Sequence, residues 1–258
     1  MSGLVLEGVT RVFGGLTAVS GLSFAVPAAR ITALIGPNGA GKTTTFNMIS
    51  GLIPPSSGRI RFEGRDLTRM RPHEVCRAGV GRSFQTPQTF GEMSVLENVM
   101  VAAQAHYRAG FLAAGLRLAR SVAEERAIRD EAMRQLELLG LEELAGRRAG
   151  NLPLGQQRLL EIARALAARP RVLLLDEPAA GLTRAELGSL RRILLDIRDR
   201  GIAILLVEHN MRFVFRTADQ VVVLHFGEKL AEGPAVDIAR DERVIAAYLG
   251  RPAGGAAC

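Results

Sequence analysis

Ile31-Thr32-Ala33-Leu34-Ile35-Gly36-Pro37-Asn38-Gly39-Ala40-Gly41-Lys42-Thr43-Thr44 is the stretch on which the reading of this chain turns. A short buried strand, Ile31–Ile35, runs directly into glycine-rich sequence. Gly36–Thr43 then fits G-x-x-x-x-G-K-[ST] at every position and leads into a helix. Glycines let a backbone wrap closely, so that its N–H groups point inward at phosphate oxygens. The helix that follows, opening near Thr43 and Thr44, adds the positive end of its dipole. A lysine at position 42 reaches β- and γ-phosphates, and a hydroxyl at position 43 suits Mg²⁺. Of 33 basic residues only Lys42 and Lys229 are lysine. A chain that otherwise uses arginine keeps a compact ammonium where a planar guanidinium would not fit. The expected ligands are ATP and Mg²⁺.

Working outward, Val172-Leu173-Leu174-Leu175-Asp176-Glu177 is an apolar strand ending in two acids. Strand ends in parallel sheets are where ligands sit. Asp176 is expected to hold the metal's hydration shell, and Glu177 to orient or deprotonate the attacking water. His209 follows the next apolar run, Ile202–Val207, which places it as a γ-phosphate contact. Gln85, in Ser83-Phe84-Gln85-Thr86, offers an amide for the metal or the water.

The first part of the chain reads as alternating strands, Leu4–Val9, Leu22–Val26 and Ile60–Glu63, with turns at Gly14-Gly15 and Pro54-Pro55. From about residue 95 to 150 the pattern is helical: Ser121 and Glu124 make a capping box, Ile128, Ala132, Leu136 and Leu139 form a stripe, and Gly140 closes it. A further helix carries Leu159, Ile162, Ala163 and Leu166 on one face. Strand then alternates with helix through Val172–Leu175, a helix capped by Thr183 and Glu186, Ile202–Val207 and Val221–Phe226. The expected fold is α/β: a P-loop core with a mostly parallel sheet, an N-terminal antiparallel β subdomain, and a helical subdomain inserted at about 86–150. Residues 4–250 form the domain and 251–258 a frayed tail.

Composition narrows the partners. The apolar runs are far shorter than the ~20 residues of a membrane span, and the N-terminus carries no secretion-type leader. Cys76 and Cys258 form no metal-type cluster and are expected as free thiols in a reducing cytoplasm. The net charge of +7 is scattered rather than run together, so nucleic acid is not an expected partner.

Together these elements resemble the nucleotide-binding subunit of ABC transporters over about residues 4 to 250. In that family's terms Gly36–Thr43 matches the Walker A motif and Gln85 the Q-loop glutamine. Asp176 ends the Walker B strand, Glu177 matches the catalytic glutamate, and His209 matches the switch histidine. Phe13 falls where the family places an aromatic that stacks on adenine; a core position on an early strand is the other reading. The family's signature before a helix here reads Leu152-Pro153-Leu154-Gly155-Gln156-Gln157, with the helix Arg158–Ala168 behind it. The resemblance implies a head-to-tail dimer in which this segment caps ATP held by the partner subunit. Pro153 stands where a serine would donate a hydrogen bond, which implies unequal sites.

Phe13–Val19, Gly81–Gln88, Glu177–Leu182, Val207–His209 and Ala246–Gly250 resemble the branched-chain amino-acid uptake (LivG-type) branch, as does the extra segment at 103–123. The implied protein is a peripheral ATPase on the cytoplasmic face of the inner membrane. Its partners are permease subunits, a second ATP-binding subunit (identical or related) and, indirectly, an extracytoplasmic solute-binding protein. Residues near Thr86–Asn98 would pass motion to the permease. Other cargoes (urea, short amides, exported lipopolysaccharide) and a nucleic-acid- or ribosome-acting ATPase are the alternatives.

Overall fold

A computed structural model describes residues 3–83, 87–104 and 119–249, with the side chains of 119–122 and 249 left aside. Gln85, most of the extra segment at 103–123, and the tail at 251–258 lie outside the described residues.

Two sheets divide the strands. The first is antiparallel, in the order β2 (Leu16–Pro27), β1 (Gly3–Phe13), β4 (Ser57–Phe62) and β5 (Arg65–Asp66). The second runs β10 (Glu228–Pro234), β9 (Gln220–His225), β3 (Ile31–Ile35), β8 (Ala203–Val207), β7 (Val172–Asp176) and β6 (Val80–Arg82). Every pairing from β9 across to β6 is parallel, and β10 alone returns antiparallel.

Strand periodicity explains how the layers stack. All five residues of β3, of β7 and of β8 are buried, because both faces of a parallel sheet are covered. Leu173, Leu175, Ile204 and Leu206 enter one apolar cluster with the helices. Their neighbours Val172, Leu174, Ala203, Leu205 and Val207 enter another with the antiparallel sheet. Between β6 and β7 lie α3 (Val95–Ala103), α4 (Ala119–Leu139) and α5 (Leu154–Ala167), which pack on one another. The stripe Ile128, Ala132, Leu136 and Leu139 is buried there, and Gly140, at φ +68°, ends the helix as expected. After β7 come α6 (Arg184–Asp199), α7 (Met211–Thr217), α8 (Ala235–Ile238) and α9 (Glu242–Leu249).

Several expected boundaries move, each for a local reason. β1 continues past Val9 to Phe13 because register shifts between Leu6 and Val9 and beyond, with Gly8 at φ +59°, break the alternation without ending the pairing. β2 and β4 likewise begin earlier than their apolar cores, and β4 ends at Phe62 because Glu63, at φ +47°, belongs to the turn. The helix expected to be capped at Ser121 is already under way at Ala119, so Ser121 lies inside it rather than at its start. The helix expected at Arg158 starts at Leu154, with Pro153 as its cap residue; Leu160 is buried and Leu159 only partly so. Phe226 is not the end of a strand. With Gly227 it forms the turn of the β9–β10 hairpin, at φ +48° and +82°.

Candidate nucleotide-binding and hydrolysis site

The loop Gly36–Gly41 joins β3 to α1 (Lys42–Ile49) and is gripped from two sides. A Cβ on Gly41 would lie 2.6 Å from the Ala18 carbonyl oxygen of β2, and one on Gly36 would lie 2.2 Å from the Leu224 carbonyl oxygen of β9. The Gly227 N–H donates to the Ala40 carbonyl at 3.1 Å, so the β9–β10 turn braces the loop as well. Lys42 is buried, and its ammonium donates to the Gly36 and Pro37 carbonyls at 2.7 and 2.9 Å. Burial pushes the Lys42 ammonium down, while the charges of Glu177 and Asp176 favour keeping it protonated. Asn38, Gly39, Ala40, Gly41, Lys42, Thr43 and Thr44 line a cavity of ≈ 290 Å³ with Ala18, Glu177, Val207 and His209.

The carboxylate pair sits where β7 ends. Asp176 is buried and faces the Arg82 guanidinium at 3.8 Å. Burial raises its carboxyl pKa, Arg82 opposes that rise and Glu177 adds to it. Arg82 is held by Asn47 Oδ1 at 2.8 Å and Ser50 Oγ at 2.7 Å, both from α1 and its end. Glu177 adopts φ +50°, uncommon for a residue with a side chain, and its N–H donates to the Val207 carbonyl at 2.9 Å. Its Oε1 lies 2.9 Å from His209 Nε2. Thus the two histidine and glutamate positions singled out in the sequence meet across one cavity wall. The Glu177 carbonyl accepts from the Arg158 guanidinium and from the Ala180 N–H.

Among the described residues no cluster of three or more histidine, cysteine or acidic side chains forms a metal cage. Mg²⁺ in phosphate sites is held by one or two protein oxygens together with the phosphates. Thr43, on the cavity, and Asp176, which ends β7 and is not part of the cavity lining, carry oxygen donors of the hard kind that suits that ion.

The signature residues stand apart from this cavity. Leu152 is buried, Leu154 is exposed, and a Cβ on Gly155 would come 2.9 Å from Leu182 Cδ2. Gln157 Nε2 donates to the Leu152 carbonyl at 2.8 Å, closing the start of α5, and Leu152–Gln156 contribute nothing to the lining of their own chain's loop cavity. Phe13 is not core: it is 43% exposed, with the Arg11 guanidinium 4.4 Å over its ring, and it does not line the cavity. Three residues with no role in the sequence reading join the site: Arg82, Arg158 and Glu208. Glu208 is buried beside His209; its sequence signals are an acid directly following an apolar strand and its place in the Val207–His209 stretch.

A buried strand, a phosphate loop, a helix and a neighbouring strand tipped with carboxylates define a P-loop nucleoside triphosphatase core. Within that class, the ABC transporter family model matches residues 19–180, and the chain belongs to that family. A second model, the branched-chain amino acid ATP-binding cassette transporter, matches residues 228–254. The chain is 42% identical to the high-affinity branched-chain amino acid transport ATP-binding protein BraF of Pseudomonas aeruginosa, over 96% of this chain and 97% of that one. It is 39% identical to the corresponding LivG protein of Escherichia coli K12, with the same coverage of both chains. Among solved structures, a nucleotide-free ATP-binding cassette from an ABC transporter superposes with a TM-score of 0.85 at 33% identity, over 97% of this chain and 100% of that one. The ADP conformation of such a cassette gives 0.84 at 34% identity, over 97% and 99%.

Proposed function

We propose that this chain is the ATP-hydrolysing motor subunit of an importer for branched-chain amino acids, bound peripherally at the cytoplasmic face of the inner membrane. The observation that carries the enzymatic reading is the single cavity in which the phosphate loop, Lys42, Glu177 and His209 converge. The near full-length likeness to BraF and LivG, together with the match at residues 228–254, supports the cargo.

The loop N–H groups and Lys42 bind the phosphates, exchanging the Gly36 and Pro37 carbonyls for phosphate oxygens on the ammonium. Thr43 and Asp176 would hold Mg²⁺, which when bound neutralises charge developing between the β- and γ-phosphates. Glu177 takes the proton of the attacking water, and His209, 2.9 Å away, fixes the carboxylate's orientation and faces the γ-phosphate. Gln85 completes the water or metal contacts, and Phe13 presents an accessible ring for adenine.

The segment Leu152–Gln156, exposed at Pro153 and Leu154 where α5 begins, caps ATP held by a second ATP-binding subunit, with helix N–H groups aimed at its γ-phosphate. Pro153 supplies no hydroxyl there, so the site completed by this chain is the slower of the two, which favours a related rather than identical partner. Among residues 87–98, the exposed Phe90 and Met93 offer the apolar contact for the permease, which with a solute-binding protein selects the cargo.

The test is the ATPase of the assembled transporter in proteoliposomes, with the binding protein loaded by each amino acid in turn. Stimulation by leucine, isoleucine and valine above the rest supports the cargo, and none from these three rejects it. Glu177→Gln is expected to keep ATP binding and lose turnover; a variant that still turns over removes Glu177 as the base.

A further inference from the structure

We propose that Glu208 is a positioning residue for hydrolysis, its buried carboxylate tying the turn after Glu177 to the turn that carries His209. The inference rests on the reading of Glu177 as the base. Glu208 follows β8 and is 3% exposed. Its Oε1 accepts from the Ala179 N–H at 2.6 Å, and its Oε2 from the His209 and Asn210 N–H groups at 3.1 and 3.5 Å. The bonded amides therefore lie two residues beyond Glu177 on one side, and at His209 itself on the other.

A carboxylate is an expensive group to bury when no cation faces it, and among the described residues no lysine or arginine makes an ion pair with Glu208. An apolar side chain at this position would fill the space but accept no hydrogen bond. What the carboxylate adds is acceptor capacity for two separate turns at once, since each oxygen offers two lone pairs. Glu177 needs such holding. Its left-handed backbone, at φ +50°, is a conformation that persists only when its surroundings fix it. The fixing contacts come from three directions. The Glu177 N–H is held by Val207 at 2.9 Å, its carbonyl by Arg158, and the amide of Ala179 by Glu208. Only the Glu208 tie also reaches the backbone of His209. It spans the two turns whose side chains meet at 2.9 Å, so the register of that meeting depends on it. A carboxylate displaced by ~1 Å from a reacting water loses up to ~10² in rate.

Glu208→Gln keeps size and shape, but its amide oxygen serves one turn while its NH₂ group confronts an N–H of the other. Glu208→Asp keeps the charge and shortens the reach, so it cannot span both turns. In the assembled transporter, each variant is expected to lower kcat by ~10- to 10²-fold, with KM for ATP and MgADP affinity held within about twofold. Wild-type kcat in both variants overturns the proposal. So does a parallel fall of kcat and nucleotide affinity, which would make Glu208 a support of the fold alone. Should the Gln variant not fold, the Asp variant is judged by the same criteria. Glu177→Gln is run beside them. Normal turnover in the Glu208 variants with a dead Glu177→Gln sinks only the present inference, whereas an active Glu177→Gln sinks the assignment of the base as well.

Discussion

Gly36→Ala tests the packing of the phosphate loop against the sheet. The added methyl carbon would sit 2.2 Å from the Leu224 carbonyl oxygen and 3.0 Å from the Ala40 Cβ. Close carbon–oxygen contacts in proteins lie at ~3.3–3.6 Å, so the overlap is about 1 Å. Leu224 cannot retreat, because β9 is paired on both sides, with β3 and with β10. The loop must move instead, carrying the Gly36 and Pro37 carbonyls away from Lys42. Overpacking of this kind costs ~1–3 kcal/mol, and in a chain of this size each kcal/mol lowers the melting midpoint by about 2–4 °C. Calorimetry with MgADP should show weakened binding, and scanning fluorimetry a midpoint several degrees lower. Gly15→Ala is the control, since nothing lies within 4 Å of the added carbon, and it should match the wild type in both assays. A Gly36→Ala protein with unchanged affinity and midpoint refutes the packing argument.

Lys42→Ala removes a buried charged donor, and MgATP affinity measured by calorimetry should fall ~10- to 10²-fold, the loss expected for charge-assisted hydrogen bonds. Thr183→Ala removes a reciprocal cap in which Thr183 and Glu186 bond each other's backbone at 2.7 and 3.4 Å. It should lower the melting midpoint by about 2–4 °C and leave nucleotide affinity intact. Burial pushes the Tyr248 phenol up to about 12. The folded state therefore holds that proton more tightly than the unfolded chain, whose tyrosines titrate near 10. Stability from this source is complete below pH ~10 and lost as pH rises toward about 12. Tyr248→Phe should flatten the alkaline limb of a stability–pH curve, and an unchanged limb would exclude Tyr248 as its origin.

What the sequence made legible was whatever is local. The phosphate loop announces itself in eight consecutive residues, and β7 in a run of leucines ending in acids. The cap at Thr183 spans four residues, and the structure forms it as expected. The parallel order of the sheet followed from the alternation of strand and helix. Contacts between distant segments left no such trace. Arg158 reaches Glu177 across 19 positions, and Glu208 reaches Ala179 across 29. The β9–β10 hairpin escaped because its turn uses phenylalanine at a positive φ, where asparagine or glycine is the usual signal. Ser121 misled in the opposite direction. Its spacing to Glu124 satisfies the capping pattern, yet the helix is already formed at Ala119, two residues before it.

Within the loop the Lys42 ammonium donates to two backbone oxygens. Nucleotide capture is therefore a trade of partners rather than the filling of a vacancy, and the incoming molecule must better what the loop offers itself. A triphosphate does so with several anionic oxygens converging on one point.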